Sequence, residues 1–166
     1  MSCVLGIVES IQDSTGSEPC KKTVQKITYL LQQMNERIDF DFSIHFYGPY
    51  SADLDAEIRY LRSSGALEVI ESNRGHLLKV IDHSEALEVS SDAKSLIEFF
   101  SQKSPSDLEL LATTLYIQRE SPSTGEDEII YGVKKIKGAK YTDEQIAQSI
   151  KELMDKDYFY ILFASA

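Results

Sequence analysis

Apolar residues recur at helical spacing from the first positions of the chain. In "CVLGIVESI", Val4, Ile7, Val8 and Ile11 share one face, and "DSTGSEP" ends the pattern. In "KKTVQKITYLLQQMN", Val24, Ile27, Leu31 and Met34 form the next stripe. The period then changes. Through "IDFDFSIHF", Ile38, Phe40, Phe42, Ile44 and Phe46 alternate with Asp39, Asp41, Ser43 and His45, which predicts a half-buried extended segment with its polar set on the other face. Gly48 and Pro49 are expected to break it, with Phe46 turned inward as a core anchor.

Ser51 is placed to cap a following helix, whose first turns hold Asp53, Asp55 and Glu57 near the positive end of the dipole. Leu54, Ile58 and Leu61 are its stripe and Gly65 its stop. "ALEVIES" and "HLLKVID" around Asn-Arg-Gly predict a β-hairpin. Three helices and a hairpin are the order of a winged helix, with an extra extended segment between the second and third helices.

The second half predicts helices with stripes Ala93, Leu96, Ile97, Phe100; Leu108, Leu111, Leu115 after Pro105; Ile129, Val133, Ile136; and Ile146, Ile150, Leu153 after a Thr142–Gln145 capping box. A shift of 92 residues pairs Leu54, Ile58, Leu61, Leu67 and Val69 with Ile146, Ile150, Leu153, Phe159 and Ile161, a faint internal repeat. The expected fold is therefore α+β and mainly helical. A winged-helix-like half with a hairpin wing covers residues 1–83, and a helical half packed on it covers 84–166, the two expected to form one compact unit.

At 166 residues, 42% hydrophobic and 27% charged, the chain is long enough to bury a core without disulfides or metal. Cys3 and Cys20 show no metal-ligand spacing and are read as reduced thiols. No apolar run has membrane-spanning length and no secretory leader is apparent, so a cytoplasmic location without membrane association is expected.

The net charge of −10 disfavours nucleic acid, because affinity for phosphates comes from lysine and arginine displacing counterions. Between Asp53 and Asp82, Arg59, Arg62, Arg74 and Lys79 stand against six acidic side chains, leaving net −2. A helix whose first turns carry three acids meets a phosphate backbone badly. DNA binding through those four residues is the alternative reading, as a homodimer that brings its wing tips together.

Neither a glycine-rich phosphate loop nor a nucleophile elbow is present, and no cofactor or enzymatic activity is expected. Asp39, Asp41 and His45 share a face, but strand neighbours two apart lie roughly 7 Å from each other, too far to share one ion, so no metal site is assigned. What remains is a protein-binding surface. Aromatics and arginine dominate the centres of interfaces, and His45, Tyr47, Tyr50, Arg59, Tyr60 and Arg62 supply them around one turn.

"KKTVQKITYLLQ" followed by "FDFSIHFYGPYSADLDAEIRYLRSSGALE", with "LELLATTLYI" and "YTDEQIAQSIKELMDKDYF" later, resembles the YwgA-like proteins of bacteria and archaea over most of the chain. The order of the Gln-Lys helix and the Gly-Pro turn is distantly similar to the Panacea domain of antitoxins and adaptors. The matching positions are Gln25, Lys26, Tyr29, Gly48, Pro49, Tyr50 and Ser51. The resemblance implies a non-enzymatic regulatory module whose partner is another protein, such as a toxin or other regulatory target.

Overall fold

A computed structural model describes residues 1–34, 37–122 and 124–158. Among them are seven helices and two two-stranded antiparallel hairpins, a mixed α+β architecture dominated by helix. The chain divides into two compact units. One comprises residues 1–43 and 50–108; the other comprises 44–49 and 109 onward.

In the first unit, α1 (Cys3–Thr15), α2 (Lys21–Gln32) and α3 (Ala52–Ser63) bury the stripes expected of them, including Val4, Ile7, Val8, Ile11, Val24, Ile27, Leu31, Leu54, Ile58 and Leu61. Ser51 caps α3 by accepting from the Leu54 amide at 3.2 Å, and Gly65 ends the following turn at φ 82°. Strands β3 (Leu67–Ser72) and β4 (Gly75–Val80) pair in register from Leu67↔Val80 to Ser72↔Gly75. On the other edge of β4, Cys20 forms an antiparallel bridge with Leu77, and the Leu78 amide donates to the Pro19 carbonyl at 2.9 Å.

Helix α4 (Ser91–Ser101) packs on α1 and α2 through Ala93, Ile97 and Phe100. It therefore sits in the first unit, and the grouping by packing changes at Leu108/Glu109 rather than at residue 83. Gly6 explains how the chain before α4 comes so close to α1. A Cβ there would lie 2.0 Å from the Leu87 carbonyl oxygen. Its absence lets Ser2 and residues 85–87 exchange backbone hydrogen bonds of 2.7 and 3.0 Å.

Most of α5 (Pro105–Glu120) belongs to the second unit, with α6 (Glu126–Lys137) and α7 (Asp143–Asp155). Residues 109–115 of α5 are all buried, so this middle stretch of the helix is enclosed on every side while its two ends are exposed. Thr114 and Ser149 share a hydrogen bond of 2.9 Å inside it, and Gly132 of α6 leaves the room that Ile117 occupies. The Thr142–Gln145 capping box starts α7, which buries Ile146, Ile150 and Leu153. The repeat partners Phe159 and Ile161 lie outside the described residues. No described helix is long and apolar enough to cross a membrane.

Candidate functional site

One face of α2 grips the segment that leads to and from the aromatic turn. The Gln32 side chain donates to the Phe40 carbonyl and accepts from the Phe40 amide, both at 2.9 Å. Seven residues, about two helical turns, earlier, Gln25 treats Ser51 in the same way, at 2.9 and 3.0 Å. Each amide side chain imitates a neighbouring strand and satisfies a backbone donor and acceptor together. Between them, Tyr29 meets the Phe42 ring edge-on at 5.2 Å. Gln25, Tyr29 and Gln32 lie on one face because their spacing is four and three.

Between those clamps the chain forms a tight hairpin of β1 (Ser43–His45) and β2 (Gly48–Tyr50). The turn falls on Phe46–Tyr47, and Gly48 and Pro49, expected to break the segment, are the buried start of the return strand. Gly48 takes φ 90°, which a side chain would disfavour. Phe46 corrects the expectation of a core anchor. The alternation that buries Ile38 to Ile44 stops where the chain reverses, leaving Phe46 61% and Tyr47 56% exposed. The two rings meet edge-to-face at 5.1 Å.

A buried cation holds this turn. Lys137 completes the inward stripe of Ile129 and Val133 on α6, while Ile136 is only half-buried. Its Nζ donates to the Phe46 carbonyl and to Glu109 Oε1 at 2.7 Å, and lies 5.6 Å from the Phe46 ring centroid. Glu109 Oε1 also accepts from Lys140 Nζ at 2.8 Å and Tyr141 Oη at 3.3 Å.

Burial pushes the Lys137 ammonium below its ordinary range, against the pull of Glu109. Burial also pushes Glu109 upward, but the hydrogen bonds from Lys137 and Lys140 outweigh it and hold the carboxyl below its usual value. Lys140 is held higher by its hydrogen bond to Glu109. The cluster is charged, internally satisfied and fixed in place.

The six predicted contact residues divide between the units. His45 and Tyr47 are in the second; Tyr50, Arg59, Tyr60 and Arg62 are in the first. His45 is exposed and Tyr50 half-buried. On α3, Tyr60 is 68% exposed. Arg59 Nη1 pairs with Asp55 Oδ2 at 2.8 Å, and Asp55 also pairs with Lys21. Arg62, Arg74 and Lys79 are exposed, Arg74 at the tip of the β3–β4 hairpin. Asp39 and Asp41 are also exposed, and among the described residues no group of three or more His, Cys, Asp or Glu side chains is placed to hold a metal. Cys3 and Cys20 are free thiols.

The residues sequence reasoning missed are Phe46 as an exposed group and Glu109, Lys137, Lys140 and Tyr141 as its support. One signal was present. Lys137 stands four and eight positions after Val133 and Ile129, on the apolar stripe itself.

These features define a helix-dominated α+β protein with an aromatic hairpin tip. No family model matches the chain. It is similar to the "Uncharacterized protein YwgA" of Bacillus subtilis (strain 168), 25% identical over 142 residues, covering 79% of this chain and 82% of that one. That similarity supports the YwgA-like resemblance and carries nothing on the Panacea domain.

Proposed function

We propose that the chain is a non-enzymatic regulatory module that binds another protein through the turn at Phe46–Tyr47, in the manner of an antitoxin or adaptor. The observation that carries this reading is the pair of large aromatics exposed side by side on a backbone that Lys137 holds from beneath. A surface that is already rigid loses little entropy on binding, and aromatic anchors supply most of the energy at interface centres. His45 and Tyr47 contribute from the same unit, and Tyr50, Arg59, Tyr60 and Arg62 are the further contact candidates. The partner is a toxin or other regulatory target in the cytoplasm, with no membrane component.

The test is an affinity capture from nuclease-treated native extract with the wild-type chain, the Phe46→Ala/Tyr47→Ala variant, and Tyr131→Ala as an exposed-tyrosine control on α6. One stoichiometric protein, kept by the control and lost by the double variant, is the expected result. Equal capture by all three would remove the turn from the interface.

A second reading has a specific observation in its favour. The order α1, the Pro19–Cys20 bridge to β4, α2, α3, β3 and β4 supports a winged-helix reading, in which a short first strand would join the wing sheet. In that arrangement α3 and the wing tip would present Arg59, Arg62, Arg74 and Lys79 to DNA, as a homodimer. Steeply salt-dependent binding that weakens with Arg74→Ala would support it. The acids of α3, and the use of Arg59 by Asp55, weigh against it.

A further inference from the structure

A cleft of about 560 Å³ opens in the first unit, lined by none of the residues of the aromatic turn. That volume falls within the roughly 300–1,000 Å³ typical of small-molecule sites. Its accessible apolar walls are Ile38 of the extended segment and Leu87 and Val89 of the chain that precedes α4, with the buried Ile7 of α1 and Leu31 of α2 behind them. Cys3 completes the apolar wall. Burial, with Glu57 nearby, pushes its thiol upward, so it stays protonated and behaves as a small hydrophobe.

Two charged side chains reach the mouth, and they are not equivalent. Glu88 is 89% exposed in its side chain and is answered by Lys94 at 3.5 Å. Arg37 is exposed and makes no ion pair with a described residue. A guanidinium is a planar fork suited to a carboxylate. Leu87 is 40% exposed at the rim, apolar surface left in water where an occupant would cover it.

The geometry points to a binding site for a small amphipathic carboxylate, its unbranched apolar chain lying along Ile38, Leu87 and Val89 and its carboxylate on Arg37. This site goes beyond the partner-binding reading and is independent of it.

The experiment is calorimetric titration of the full chain with sodium decanoate, decanol and decyltrimethylammonium, each below its micellar range. Decanoate is expected to saturate at one per chain and to bind more tightly than the other two. Arg37→Gln should weaken decanoate about tenfold, the loss of one charge-assisted contact, and leave decanol unchanged. Leu87→Asp should weaken decanoate and decanol together. No saturable heat from decanoate would overturn the site. Equal binding of all three probes, or decanoate affinity unmoved by Arg37→Gln, would overturn the carboxylate assignment and leave only unspecific apolar adsorption.

Discussion

Lys137 Nζ sits 2.7 Å from Glu109 Oε1, with the lysine side chain 1% exposed and the carboxylate 11%. The same ammonium donates to the Phe46 carbonyl, so one interior charge pair determines where an exposed ring stands. Removing one partner strands the other in a low-dielectric interior. Glu109→Gln should cost about 3 kcal/mol in urea unfolding. Glu109→Leu combined with Lys137→Met should recover part of that loss. If the double variant were no more stable than Glu109→Gln, the penalty would not come from a stranded charge.

The aromatic turn is expected to behave in the opposite way. Tyr47 is more than half exposed, and exposed substitutions away from special features shift stability by about 0.5 kcal/mol or less. Tyr47→Ala should therefore melt with the wild type while changing partner capture. A large drop in melting temperature would show that the ring is a packing element.

The acid side of the stability profile should depend on Glu109. Its folded-state carboxyl titrates below the ordinary value of 4.5, so its stabilising contribution is complete above 4.5 and is lost as pH falls through the folded value. Tyrosine fluorescence followed from neutral to acid pH should show a transition that Glu109→Gln flattens. Lys137 is depressed and Lys140 raised, so the two lysines act in opposite directions on the alkaline side.

Gln25 satisfies the Ser51 amide and carbonyl together within the core. Gln25→Ala leaves two buried backbone groups without that partner, and should cost about 2 kcal/mol. Gln25→Glu keeps the acceptor, loses the donor, and places a carboxylate against the Ser51 carbonyl. It should be at least as damaging. Denaturant midpoints that rank Glu as the milder change would contradict this account.

Gly6→Ala is a steric test. The added methyl would fall 2.0 Å from the Leu87 carbonyl oxygen, a clash with backbone that costs about 2 kcal/mol. Hydrogen exchange at the Leu87 amide, bonded to Ser2 in the native chain, should accelerate more than exchange within α7.

The helices were legible because their stripes, caps and stops agree. Ser51, the Thr142–Gln145 box and Gly65 all act where periodicity places them. The extended segment was legible as an alternation, and its burial follows that alternation from Ile38 to His45. The turn was not. Gly-Pro reads as a break, whereas the reversal falls on the two aromatics before it. The support beneath them was hidden for a different reason. Glu109 and Lys137 are 28 residues apart, and "KKIKGAK" reads as a solvated lysine cluster unless Lys137 is seen to share a face with Ile129 and Val133.

The chain passes from one compact unit to the other at 43/44, again at 49/50, and finally at 108/109. No single cut can therefore yield both units whole. A fragment ending at Leu108 keeps Phe46 and Tyr47 but has lost the lysine that holds them, and one starting at Glu109 keeps the lysine with nothing to hold. Two such halves mixed in solution could restore the turn only by reassociating, so recovery of partner capture on mixing would measure how strongly six residues tie the halves together.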